Sequence, residues 1–216
     1  MESSRFSIAN EGMACEPGYE RYNASKGGLK KRPPGINMMD WNDLARAVDQ
    51  EDEVTLRMAA LAGAARTIRF LSSRLFSEDD RTKWKAVRSL GVVVSERDAI
   101  SSDRARELLR RFFWSLKDES GTVPFGVPEA IGEVLAVRTE LQPEFLSILC
   151  SLAYHPEHVQ AGRIERGVFW ALGRLGQASA TCSPEAVKAL AFAAHQHPDL
   201  ESRRIAAWAL SQLGEH

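Results

Sequence analysis

The sequence has little net charge, few cysteines and no long apolar run. Its 28 basic and 29 acidic residues leave a formal charge of −1 over 216 residues. Nucleic-acid binders ordinarily carry a basic excess, so this balance argues against general polyanion binding. Three cysteines cannot build a disulfide framework in a chain this long, and a reducing, cytoplasmic setting is expected. Without about 18 consecutive apolar residues, no membrane-crossing helix is expected either. The sequence contains no phosphate-cradling glycine loop, dinucleotide fingerprint, or Ser-His-Asp or Cys-His arrangement. No catalytic residue, metal site or cofactor is therefore predicted. Alternating apolar and polar runs of strand length are also missing. What is present is 44% hydrophobic and 26% charged, a globular composition long enough for one large domain or two small ones.

Residues 1–37 are dominated by Gly, Pro, Ser, Asn and charges, and no helical or strand period survives in them. Such a segment buries too little apolar surface to offset its ordering entropy. Residues 1–39 are expected to be a disordered tail, and 40–216 the folded domain. Glu2, Glu11, Glu16 and Glu20 make the tail too acidic for a transit peptide, and no apolar stretch suits a secretory leader. The basic cluster Lys30, Lys31 and Arg32 reads as part of a solvated linker, with Cys15 exposed.

From Asp40 onward the punctuation is helical. Asp40 precedes WNDLARAV as a cap, and Asp79 and Asp80 precede another helix. Val54, Met58, Leu61, Ile68, Leu71 and Leu75 follow helical spacing, with Gly63 breaking the run and leaving a helix over about 64–76. Ser102 is expected to cap a helix through Leu116. Pro143 suits a first turn, where its missing N–H has no partner to lose. Ser183-Pro184-Glu185 combines a cap, a first-turn proline and an acid favourable to the helix dipole.

Four segments then repeat one another: WKAVRSLGVVV from Trp84, FGVPEAIGEVL from Phe125, RGVFWALGRLG from Arg166 and RIAAWALSQLG from Arg204. Their register marks, Leu90, Ile131, Leu172 and Leu210, are spaced by 41, 41 and 38 residues. A predicted helix precedes each, so the unit is two helices in about 40 residues. RGVFWALGRLG and HPDLESRRIAAWALSQLG resemble the short HEAT-like repeat of the phycobilisome-lyase type. Its pattern is Asp-Pro-Asp, a turn, then Val-Arg-Arg-Ala-Ala with Ala-Leu-Gly. Here His197 stands in place of the first Asp, and Ser211 in place of the Gly. The segment RRFFWSLKDESGTVPFGVPEAIGEVLA resembles uncharacterised bacterial HEAT-repeat proteins. The resemblance spans about residues 64–216. It implies an all-α superhelical solenoid of about four helical hairpins plus amino-terminal helices, with the second helices lining the concave side.

In the repeat register, Trp84, Phe125, Arg166 and Arg204 form one column of the second helices. One turn on come Arg88, Glu129, Trp170 and Trp208, and a further turn gives Val92, Glu133, Arg174 and Gln212. These columns lie off the apolar stripe exemplified by Val168, Ala171 and Leu172, so they are expected on one face. Trp and Arg are frequent anchors of binding hot spots. The competing role is structural: tryptophans sealing gaps, arginines paired with acids. Asp118, Glu119 and Ser120 open the insertion DESGTVPFG as candidate loop residues, and Asp118, Glu119, Glu129 and Glu133 make a candidate carboxylate cluster, but calcium-loop spacing is absent. His155-Pro156 and His197-Pro198 occupy matching turns and read as turn residues. Cys150 reads as a small core residue, and Cys182 lacks metal-ligand spacing.

The expected function is a noncatalytic module binding a protein partner on the concave face. One alternative is a DNA-directed protein of the alkylpurine glycosylase type, which the net charge disfavours. The other is a lyase-like assistant in cofactor attachment, implied by the repeat alone.

Overall fold

The computed structural model describes residues 40–117, 123–155 and 162–214. These residues form ten α-helices and one short 3-10 turn, with no strand among them, so the all-α class is observed. The helices are α1 (Trp41–Gln50), α2 (Glu53–Arg74), α3 (Asp80–Ser95), α4 (Ser102–Ser115), α5 (Val127–Val137), α6 (Gln142–Tyr154), α7 (Arg163–Leu175), α8 (Gln177–Cys182), α9 (Pro184–Gln196) and α10 (Leu200–Leu213). Among them, none is long and apolar enough to cross a membrane. The tail, the loop residues Asp118, Glu119 and Ser120, and Pro156–His158 lie outside the described residues.

Short polar side chains start these helices. Asp40 accepts the first N–H of α1. Asp52, Asp79 and Asp199 each accept both a backbone N–H and a hydroxyl from the residue three ahead: Thr55, Thr82 and Ser202. Those hydroxyls, then the amides, hold the three carboxyls below the usual aspartate range. Ser183 caps α9, and Pro184 occupies its first turn. For α4 the cap is Ser101, one residue before the expected Ser102. The Ser102 hydroxyl is engaged elsewhere, donating to Glu140 and accepting from Arg138.

Gly63 interrupts α2 with extended backbone, as its position predicted, although helix continues on both sides from Glu53 to Arg74. The Thr67 hydroxyl donates to the carbonyls of Ala59 and Gly63, satisfying acceptors at the kink. Helix α8 has no signal in the apolar pattern. QASATC lacks a period, and the helix begins after Gly176, whose φ of +55° belongs to the left-handed region.

The four repeated segments become α3, α5, α7 and α10, and each packs on the next in that order. Their partners α2, α4, α6 and α9 pack on them in sequence pairs. The first helices are tied as well: Arg106 and Arg110 of α4 both reach Glu144 of α6, and Phe113 stacks on Phe145 at 5.9 Å. Small residues set the spacing of the row. A Cβ on Gly132 would lie 2.9 Å from the Ala171 Cα, and one on Gly173 would lie 2.8 Å from the Ala209 Cα. A single hydrophobic core runs from Leu44 to Leu213, including the predicted Val168, Ala171 and Leu172 together with Phe112, Leu149, Leu190, Ala206 and Ala209. Each fully buried Leu or Val side chain in it contributes about 2 kcal/mol of transfer free energy.

Arg138, at the end of α5, is the largest fully buried side chain. Its guanidinium donates to the carbonyls of Val94 and Ile100, to Ser102 Oγ and to Glu140. One side chain thus closes the end of α3, the start of α4 and the turn after α5. Its signal in the sequence is Arg97, one 41-residue period earlier, which pairs with the same Glu140 at 2.9 Å.

Candidate interaction face

The second helices bring three tryptophans together. Trp84 projects from the second turn of α3, Trp170 from α7 and Trp208 from α10. Trp84 meets Trp170 edge to face at 4.8 Å, and Trp170 stacks on Trp208 at 6.2 Å with planes 15° apart. Trp84 and Trp170 are half-buried, whereas Trp208 is 38% exposed. Helix α7 can hold both ring contacts because Gly173, close under the Trp208 ring, carries no side chain. A Cβ there would lie 2.6 Å from that ring.

Below Trp84 lies a buried ion pair. Lys83 Nζ donates to Glu129 Oε1 at 3.1 Å, and both side chains are almost wholly buried. Lys83 also approaches Asp80 at 3.3 Å and sits 4.9 Å from the Trp84 ring centre. Two glycines make room for the pair. A Cβ on Gly126 would strike the Lys83 stem at 2.6 Å, and one on Gly167 would strike Glu129 Oε2 at 2.5 Å. Oε2 has no hydrogen-bond partner among the described residues. Burial pushes the Glu129 carboxyl above its ordinary value, with the Lys83 charge opposing.

This placement corrects two sequence expectations. Glu129 is 2% exposed and belongs to the interior, although it shares a repeat column with the exposed Trp208. Phe125 lies in the turn before α5, not on the helix, because Val127 is the first helical residue and Pro128 fills the first turn. There its ring lies 5.2 Å from the Arg163 guanidinium.

The arginines of the columns have carboxylate neighbours. Arg88 pairs with Glu51, Arg166 with Asp199 at 3.6 Å, Arg174 with Glu133 at 2.9 Å and Arg204 with Glu201 at 3.6 Å. Glu133 and Glu129 therefore serve different cations and do not converge. Among the described residues, no three His, Cys, Asp or Glu side chains are grouped to hold a metal. Of the histidines, His197, in the turn before α10, accepts the Asp199 backbone N–H at Nδ1 and donates Nε2–H to Glu165 of α7 at 3.0 Å, and His195 donates to the Ala191 carbonyl within α9.

The two most exposed aromatics among the described residues fall outside the columns. Trp114 of α4 is 71% exposed and Phe192 of α9 61%. Both are on first helices, where the repeat alignment of second helices does not reach. No protein-family model matches the chain, and no curated protein shows significant sequence similarity to it.

Proposed function

We propose that the chain is a noncatalytic, cytoplasmic interaction module, a short HEAT-like solenoid that binds a protein segment along its second helices. The observation that carries this reading is the contiguous run Trp84–Trp170–Trp208, ending in a ring that solvent reaches. Stacked tryptophans offer a large, rigid apolar surface at low entropic cost, which suits an anchor pocket for a partner's aliphatic or aromatic side chain. The paired arginines favour a protein over a nucleic acid. Guanidiniums that already face carboxylates give little counterion release on a phosphate backbone. The ordered succession of α3, α5, α7 and α10 supports the repeat assignment.

The test is affinity capture followed by measurement with the purified captured protein. Trp208→Ala should weaken binding by about 30-fold, the effect of a 2 kcal/mol hot spot. Trp114→Ala and Phe192→Ala serve as controls on the first helices. Unchanged affinity in Trp208→Ala, with loss in either control, would place the interface on the first helices instead. Salt-sensitive capture of DNA would favour the glycosylase-type alternative, and a bound tetrapyrrole the lyase-like one.

A further inference from the structure

From Val54 to Ser77 the chain carries four arginines and no acid. Arg57, at the start of this run, pairs with Glu53 and Glu96. The other three share one face of α2. Beyond the Gly63 kink, Arg66, Arg69, Phe70, Ser73 and Arg74 recur at spacings of three and four, opposite the buried Thr67, Ile68 and Leu71. Helix α1 adds Trp41 to this face, because the Asp40 cap fixes its first residue. The Trp41 ring lies 5.5 Å from that of Phe70. The Arg66 guanidinium sits over Trp41 at 4.0 Å, and the Arg74 guanidinium over Phe70 at 4.5 Å. Among the described residues, Arg66, Arg69 and Arg74 have no carboxylate partner. The nearby acids are engaged elsewhere. Asp43 pairs with Arg46, Asp49 with Lys85 and Glu51 with Arg88, while Asp40 and Asp52 cap their helices. A ring attracts a cation but supplies no oxygen acceptor, so the charge of these guanidiniums stays uncompensated.

We propose that the Arg66–Trp41–Phe70–Arg74 face docks an acidic segment of a partner protein, its carboxylates on the guanidiniums and an apolar side chain on the exposed part of Trp41. Charge complementarity names the occupant. Arg66 and Arg74 stand about 12 Å apart along the helix axis, with Arg69 between them. Carboxylates four residues apart in an extended segment span the same distance, at about 3.3 Å per residue. Guanidinium forks match carboxylates with two parallel hydrogen bonds. The rings hold two of the long arginine side chains in place, which lowers the entropy lost on docking. A nucleic-acid strand fits less well, because it binds by stacking bases on open aromatic faces, and here a guanidinium already covers one face of each ring. The surface belongs to α1 and the first helix α2, and does not rest on the tryptophan run of the second helices.

The probe is a fluorescein-labelled synthetic peptide of glutamates interspersed with leucines, titrated with the full chain at low ionic strength and followed by fluorescence anisotropy. The wild type should bind it, and Arg66→Gln combined with Arg74→Gln should weaken binding about 10-fold. Arg46→Gln combined with Arg204→Gln removes the same charge from exposed arginines that already face carboxylates, and should change affinity by less than about twofold. Trp41→Phe keeps a ring under Arg66 and should bind as the wild type does, whereas Trp41→Ala, checked for folding by far-ultraviolet circular dichroism, should bind more weakly. Trp208→Ala should leave peptide binding unchanged, which separates this face from the tryptophan run. Equal losses in the two double arginine variants would overturn the proposal, as would a wild type that does not bind the peptide. So would a labelled oligothymidylate that binds more tightly than the peptide and is released by Arg66→Gln with Arg74→Gln, since the face would then serve a nucleic acid.

Discussion

At the scale of single residues, Glu129 has only one of its two carboxylate oxygens matched. Oε1 faces Lys83, and Oε2 lies against the bare Cα of Gly167. A buried pair of this kind gains little net stability, because desolvation offsets the attraction, yet losing one partner leaves the other stranded. Lys83→Met is expected to cost about 3 kcal/mol in urea unfolding, and Lys83→Met combined with Glu129→Gln to recover more than half of that. A double variant as unstable as the sum of the singles would show that the two side chains do not act as a pair. Glu140 shows the opposite shift. The Arg97 hydrogen bond, with further bonds from its own backbone, Arg138 and Ser102, brings its carboxyl from 4.5 down to about 2. A carboxyl more acidic in the folded chain stabilises above its unfolded value, and the contribution disappears as pH falls through the folded one. Its side chain is 34% exposed, so solvent screening limits the gain to about 1 kcal/mol. Between pH 4.5 and about 2, the wild type should lose that much more stability than Glu140→Gln. Parallel pH profiles of the two proteins would remove Glu140 from the account.

At the scale of elements, the row of second helices depends on missing side chains. Gly132 and Gly173 stand at the same register, and each admits a buried alanine of the next helix, Ala171 or Ala209. Alanine improves helix propensity over glycine by about 1 kcal/mol. At Gly132 that gain should be overcome, because the new Cβ meets backbone that moves only if α5 and α7 separate. Gly132→Ala is therefore expected to destabilise by about 2 kcal/mol, read as a lower urea midpoint. Gly162→Ala is the contrasting case: its Cβ would meet nothing within 4 Å, but its φ of +83° strains any side chain. The 41-residue period made the Gly132 and Gly173 contacts legible in sequence. Gly126 and Gly167 were not legible, since they serve one ion pair that occurs in one repeat. Helix α8 was missed for the related reason that its residues are held by the Ser179 hydroxyl on the Leu172 carbonyl, a tertiary contact at 3.1 Å, and by no apolar stripe of their own.

At the scale of the whole described molecule, one continuous core links every helix pair. A repeat that cannot bury its stripe alone should not unfold alone when its neighbours share that core. Urea unfolding followed by far-ultraviolet circular dichroism and by tryptophan fluorescence is expected to give one coincident transition. Trp41 reports on the amino-terminal helices and Trp208 on the last one, so separated midpoints would reveal independent units. The near-neutral charge also gains a location at this scale. Arg88–Glu51, Arg97–Glu140, Arg106–Glu144 and Arg174–Glu133 all bridge different elements of the chain. Exposed pairs of this kind contribute about 0–1 kcal/mol each. Their larger effect is to fix which helix faces which.

The sequence by itself determined the helical class, the starts at Asp40, Asp79 and Ser183, the 41-residue period and the apolar stripe. All four follow from local chemistry: capping geometry, helical spacing and the need of each repeat to cover an apolar face. It did not determine which members of a column reach solvent. Glu129 and Trp208 hold equivalent registers, yet one is 2% and the other 38% exposed. Helix α5 has α3 on one side and α7 on the other, whereas α10 has α7 and, among the described residues, no further helix of the row. Exposure is set by how many neighbours a helix has, and that number belongs to the assembled fold, not to the residue.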